Sequence, residues 1–150
     1  MKFVATEDVA ARIEAVWAQV TDFERFEARA RGRVAGLERV PPGPAVAGTV
    51  WRGQAEVLGA RRHLTIRLDA VEAPHRMAAS AEAEGMDVAF VVDLHELGPQ
   101  RTRMTVTTEA RARSLAGRMM LGSLKLARRQ MAHRYKDGVA RFAGRIAGTG

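Results

Sequence analysis

Leu64-Thr65-Ile66-Arg67-Leu68-Asp69 puts its apolar residues on one parity and its polar residues on the other. This is the period-2 pattern of a strand with one dry face and one wet face. Met104-Thr105-Val106-Thr107-Thr108-Glu109 alternates in the same way. Around these segments, Leu58-Gly59-Ala60, Ala73-Pro74-His75, Glu84-Gly85-Met86 and Leu97-Gly98-Pro99-Gln100 place Gly or Pro between short periodic runs, as hairpin turns require. The region therefore reads as an antiparallel meander with strands at residues 49–58, 61–72, 76–83, 86–96 and 101–110. Extending the parity assigns Trp51, Ile66, Leu68, Met77, Ala79, Phe90, Val92, Met104 and Val106, among others, to the dry face.

Something must cover that face. Residues 111–150 carry ten Lys or Arg against one acid, Asp137, whereas the preceding 110 residues hold fourteen bases and sixteen acids. This basic tail reads as one long helix. At about 100° per residue, Met120, Leu124, Ala127, Met131, Tyr135, Gly138 and Phe142 share one side, and Arg118, Lys125, Arg129 and Lys136 the opposite side. An apolar stripe of this width suits a curved antiparallel sheet, so the fold class is α+β, with a long C-terminal helix as the cover.

Before the meander, residues 2–9 suit a strand, and Ile13, Val16, Trp17 and Val20 recur at helical spacing. The Asp22 carboxylate is placed to cap a second short helix over residues 23–30, which Gly32 and Gly36 end. A short strand at 37–40 then meets Pro41-Pro42-Gly43-Pro44, where fixed φ angles and missing donors enforce a loop. No repeat or second core pattern divides the chain, so residues 1–150 read as one domain.

Composition narrows the function classes. The chain has no cysteine, which excludes disulfides, thiolate metal sites and thiol nucleophiles and suits a reducing cytoplasm. No apolar run approaches the roughly 20 residues of a spanning helix, and the N-terminus has no apolar stretch of signal-peptide length. The net charge of +7 invites a nucleic-acid reading. No zinc-finger, RNA-recognition or KH signature accompanies it, and aromatic residues are few, which disfavours that partner. Gly-x-Ser-x-Gly, phosphate-binding glycine loops and HExxH are absent. His63, His75, His95 and His133 are dispersed, so neither a metal site nor a cofactor is expected.

The stretch from Val9 to Phe26, with Val16-Trp17 and Thr21-Asp22-Phe23 in sequence, closely resembles the opening of START-like proteins, the SRPBCC superfamily. Gly48-Thr49-Val50-Trp51 resembles the start of that superfamily's third strand. The sequence departs from the pattern at Ala10-Ala11, where many members have Ala-Pro, and at Glu27, where Pro often follows the aromatic residue. The resemblance spans essentially the whole chain. It implies a helix-grip fold: a curved antiparallel sheet wrapped around a long C-terminal helix, two short helices after the first strand, and an apolar cavity between sheet and helix. The superfamily includes polyketide cyclases, lipid-transfer proteins and hormone receptors, so fold alone assigns no reaction.

The expected cavity set is Trp51, Met77, Phe90, Met104, Thr108, Met119, Met120, Leu124, Met131 and Tyr135. Methionine thioethers adapt to irregular apolar ligands, and the rings supply flat walls. Tyr135, the single tyrosine, is the candidate for a catalytic or orienting hydroxyl. The leading expectation is binding of a small hydrophobic molecule such as a lipid, isoprenoid or polyketide-like compound. One alternative is an aromatase or cyclase using the same cavity. Another is a membrane-peripheral lipid carrier or chaperone docking through Arg118, Lys125, Arg129 and Lys136 onto an anionic membrane. A homodimer through an exposed strand or through Leu115 and Leu126 is a further partner expectation.

Overall fold

The computed structural model describes residues 1–57 and 59–149, so Leu58 of the expected third strand and Gly150 of the expected tail helix lie outside the described residues. The chain runs β1 (Lys2–Val9), α1 (Ile13–Val20), α2 (Phe23–Ala30), β2 (Val34–Val40), β3 (Val50–Val57), β4 (Ala60–Glu72), β5 (Arg76–Ala83), β6 (Met86–Gly98), β7 (Arg101–Ala112), α3 (Leu115–Lys125) and α4 (Arg128–Thr149). The strands form one antiparallel sheet in the order β1-β7-β6-β5-β4-β3-β2, so β1 closes on the last strand and every other neighbour is a hairpin or short connection. The meander, its turns and its parity match the alternation in the sequence.

Register stacks the dry-face residues across the strands. Trp51 lies opposite Ile66, Leu68 opposite Ala79, Ala79 opposite Phe90, and Phe90 opposite Thr108. Thr102 shares that face and is fully buried, and its hydroxyl donates to the Ala11 carbonyl at 2.9 Å, tying β7 to the corner between β1 and α1. The α1 helix buries Ile13, Val16 and Val20 at helical spacing. The Asp22 carboxylate accepts the Arg25 backbone N–H at 3.2 Å and caps α2, as its sequence position suggests. No side chain of α2 is fully buried.

Two local readings change. Gly36 does not end structure ahead of a strand at 37–40. It sits at φ +64° inside β2, within a register shift against β3 between Ala35 and Glu38, the left-handed conformation that a bulge assigns to glycine. The tail helix is also interrupted: α3 ends at Lys125, and a turn at Leu126 and Ala127 joins it to α4. The inward face persists across the turn, with Met120 buried and Met131, Tyr135, Gly138 and Phe142 half-buried, but Ala127 is exposed. The two helices serve different cores. Met120 and Leu121 on α3 join Met86 and Ala110, whereas Ala143 and Ile146 on α4 join the main core of α1 and the sheet. No helix of the described residues is long and apolar enough to cross a membrane.

Candidate functional site: a two-lobed apolar cavity

The curved sheet, α2 and α4 do not close on one another completely. Between them lies an apolar space with two lobes that share Phe26, Met77 and Phe90. The lobe under α4 holds about 330 Å³, with Val92, Met104 and Val106 as its floor and Tyr135, Val139 and Phe142 as its roof. The lobe under α2 holds about 260 Å³ between Phe23, Trp51, Ile66, Leu68 and Ala79. Together they have the concave, mainly apolar character of small-molecule sites. Their walls are stiffened by ring contacts, with centroids 5.9 Å apart for Phe23 and Trp51 and 6.4 Å for Phe26 and Phe142.

Each lobe has a polar fitting in its apolar wall. In the α4 lobe, Thr108 Oγ1 donates to Tyr135 Oη at 3.1 Å, which leaves the phenolic proton available for another acceptor. The Phe3 ring supports Tyr135 at 5.5 Å between centroids. Burial raises the Tyr135 phenol above its ordinary value, against the smaller lowering effect of Thr108. In the α2 lobe the fitting is Glu27. Its Oε1 accepts Trp51 Nε1 at 2.5 Å and Arg39 Nε at 2.5 Å, so one carboxylate ties α2 to β3 and β2. Arg39 also donates to the Gly43 carbonyl at 2.6 Å, and its guanidinium lies 5.8 Å from the Trp51 ring centroid. Burial alone pushes the Glu27 carboxyl up, but the Arg39 and Trp51 hydrogen bonds and the Arg39 charge outweigh it and hold it below its ordinary value. Glu27 also borders an outer groove with Glu24, Arg31, Arg39 and Pro42, and so stands between the lobe and the surface.

Of the ten residues expected around the cavity, Trp51, Met77 and Phe90 line the α2 lobe, and Met77, Phe90, Met104 and Tyr135 line the α4 lobe. Thr108 acts behind Tyr135. Four residues are not brought there. Met131 is half-buried outside both linings. Met120 packs in the separate α3 core with Leu124 against it, and Met119 is 69% exposed on the other side of α3. The break after Lys125 separates that half of the apolar stripe from the cavity. Arg118, Lys125, Arg129 and Lys136 are all exposed.

Sequence reasoning missed Phe23, Phe26 and Arg134 in the lining and, above all, Glu27. Its partners are 12 and 24 positions away, beyond any helical or strand period. The one available signal was a charged residue directly after Phe26, where the resembling proteins often place proline. Glu7 also went unnoticed at inward parity, opposite Met104 on β1, but it lines neither lobe.

Comparison with known proteins agrees with this architecture. The sequence model of the family described as polyketide cyclase / dehydrase and lipid transport matches residues 1–147. No curated protein matches the sequence. Among solved structures, a protein of Thermus thermophilus is 17% identical, with 99% of each chain covered and a TM-score of 0.66. The Zhui aromatase/cyclase from Streptomyces sp. R1128 is 19% identical, with 97% of this chain and 93% of that chain covered and a TM-score of 0.64. Norcoclaurine synthase from Thalictrum flavum, in complex with dopamine and hydroxybenzaldehyde, is 13% identical, with 97% and 86% covered and a TM-score of 0.64. These likenesses show a shared fold, the helix-grip arrangement of Bet v 1-like proteins.

Proposed function

Because the chain belongs to the polyketide cyclase / dehydrase and lipid transport family, we propose that it holds a small hydrophobic molecule, lipid-, isoprenoid- or polyketide-like, in the two-lobed cavity. The observation that carries this reading is the composition of the cavity wall. Aromatic rings, methionines and aliphatics surround both lobes, and polar groups enter at Glu27 in one and at Tyr135 and Arg134 in the other. Burial of the ligand's apolar body supplies affinity, roughly 25 cal/mol per Å² removed from water before ordering costs. The Tyr135 hydroxyl orients a ligand acceptor. The solved complex of norcoclaurine synthase with dopamine and hydroxybenzaldehyde supports the reading by analogy of fold.

Binding without turnover fits the electrostatics better than a cyclase does. An acid–base pair works best when its members titrate near the working pH. Here the Glu27 carboxylate is already engaged by Arg39 and Trp51, which hold it below its ordinary range, and Tyr135 stands in the other lobe, so the two do not form such a pair. The polar fittings serve as anchors.

The test uses the neutral fluorophore N-phenyl-1-naphthylamine with the wild-type chain and with Ala79→Phe, which fills the α2 lobe from its floor. Saturable one-to-one binding that weakens about tenfold or more in Ala79→Phe, roughly 1.4 kcal/mol, at unchanged melting temperature is the expected result. Equal affinity in both proteins removes the α2 lobe from the site and leaves the α4 lobe alone, and the absence of saturable binding refutes the cavity as the binding site. Native mass spectrometry of protein purified from its own host then identifies the natural occupant.

A further inference from the structure

The outward face of α3 carries an apolar stripe that the fold leaves uncovered. Leu115 is 74% exposed, Met119 69%, and Leu126, at the C-cap, 92%. At about 100° per residue, the spacing of 115, 119 and 126 confines them to an arc of about 40°. Gly122 borders the same arc, and a Cβ there would meet nothing within 4 Å. The helix is therefore amphipathic twice over. Its inner face, Gly117, Met120 and Leu121, is buried on the sheet, and its outer face is aliphatic and wet.

Beside this stripe lies uncompensated positive charge. From Ala110 to Lys136 the sequence has eight Lys or Arg and no acidic residue. Arg111 is paired with Glu109, and Arg113 with Glu82 and Asp87. Arg118, Lys125, Arg128 and Arg129 make no ion pair among the described residues. On the helical wheel, Arg118 and Lys125 flank one edge of the aliphatic line, and Arg129, also exposed, follows just past the turn. Solvent-exposed aliphatics bordered by free cations are the composition of an interfacial helix, which sets its apolar side chains at the acyl boundary and its cations among phosphate headgroups.

We propose that α3 docks this protein onto an anionic lipid bilayer, with Leu115, Met119 and Leu126 entering the interface and Arg118, Lys125 and Arg129 contacting the headgroups. Charge selects this occupant over a second copy, which would bring the same cations face to face. Nucleic acid fits poorly, because the stripe offers aliphatics where bases need stacking partners. Three protruding side chains on a convex helix need no matching pocket in a fluid interface. The proposal goes beyond ligand holding, because none of these residues lines the cavity.

The experiment is co-sedimentation of the full chain with vesicles of phosphatidylcholine alone and of phosphatidylcholine with phosphatidylglycerol, at low and high salt. The wild type is expected to bind the anionic vesicles at least about tenfold better than the neutral ones, with binding weakened by salt. The triple variant Leu115→Ser, Met119→Ser and Leu126→Ser keeps every charge and is expected to lose about tenfold. The triple reversal Arg118→Glu, Lys125→Glu and Arg129→Glu is expected to lose the anionic preference. N-phenyl-1-naphthylamine affinity in both variants reports on the cavity independently. Because the chain has no cysteine, Met119→Cys also accepts a single environment-sensitive label. Its emission shifts to the blue on anionic vesicles if the helix inserts, which keeps the proposal testable if a triple variant misfolds. Equal binding to both vesicle types, serine-variant binding equal to wild type, or an unshifted label each overturns the proposal. So does a wild-type dimer in sedimentation that the serine variant abolishes, which would assign the stripe to a second copy.

Discussion

Replacing Gly117 with Ala sets two physical effects against each other, and the structure decides the sign. Helix propensity favours the change by about 1 kcal/mol, because Ala loses less backbone freedom than Gly. Packing opposes it. A Cβ at Gly117 would fall inside the closest nonbonded approach to the Gly85 carbonyl oxygen, 2.8 Å from the Gly85 carbonyl carbon and 3.3 Å from Ser114 Oγ. The obstacle is backbone and cannot swing aside: Gly85 is held at φ +83° and its carbonyl accepts the Arg113 N–H at 2.7 Å. Forcing an extra carbon into such a contact costs about 1–3 kcal/mol, and more where the neighbour is fixed. The net expectation for Gly117→Ala is a loss of about 2 kcal/mol. Gly122, on the same helix, has open space where its Cβ would go, so Gly122→Ala is expected to gain about 0.5–1 kcal/mol. At about 2–4 °C per kcal/mol for a chain of this size, the melting temperatures move in opposite directions, down about 4–8 °C and up about 1–4 °C. Because α3 has its own small core, amide hydrogen exchange at Met120 and Leu121 should accompany urea and thermal denaturation, to catch local release of the helix. A Gly117→Ala protein as stable as the wild type, with undiminished protection at those amides, would refute the reasoning, as would a destabilised Gly122→Ala.

Three further substitutions test the cavity and its supports. Thr102→Val removes a fully buried hydroxyl and leaves the Ala11 carbonyl without that donor; a loss of about 1–3 kcal/mol in urea denaturation is expected, and less than about 0.5 contradicts the assignment. Glu27→Gln is expected to cost about 1–3 kcal/mol at neutral pH through the weakened Arg39 pair. Because folding lowers the Glu27 carboxyl, its contribution is complete above the ordinary carboxylate value and is lost as pH falls through the folded value. The wild-type and Gln proteins should therefore converge in stability under acid, and a gap that persists there argues against the ion pair. Tyr135→Phe keeps the ring against Phe3 but removes the orienting proton, so the affinity of the natural occupant should fall roughly 2- to 10-fold; N-phenyl-1-naphthylamine, whose binding is mainly apolar, should bind almost unchanged.

The meander was legible because a sheet with one dry face writes itself in period 2, and because Gly59, Pro74, Gly85 and Gly98 fall between the runs. The Asp22 cap and the apolar faces of α1 and α4 were legible for the same reason: each depends on residues a turn or two apart. The break at Leu126 and Ala127 was not. Both residue types favour helix, and neither Pro nor Gly marks the site. What separates α3 from α4 is that Met120 and Leu121 pack near Met86 and Ala110, whereas Ala143 and Ile146 pack in the main core. Tertiary placement therefore decides which methionines meet the cavity. Met77 and Met104 line the cavity from the strand face that parity gives them, while Met120 lies on a stripe that the turn diverts to a separate core, and Met119 is on the exposed side of α3. Gly36 failed differently, since a glycine that interrupts a pattern serves a bulge as readily as a boundary.

The α2 helix covers one lobe without a single fully buried side chain, and the Glu27 carboxylate fastens it to Arg39 and Trp51. Lifting such an element exposes less apolar surface than lifting α1 or α4, so the local opening that costs least lies there. Glu27 therefore bears on time more than on equilibrium. A fastening outside the ligand's apolar contacts changes entry and departure rates together, leaving their ratio nearly fixed. Two proteins of this fold with identical cavity walls and different residues at position 39, which lines neither lobe but holds the other end of this fastening, would hold the same molecule with similar affinity and release it on different schedules.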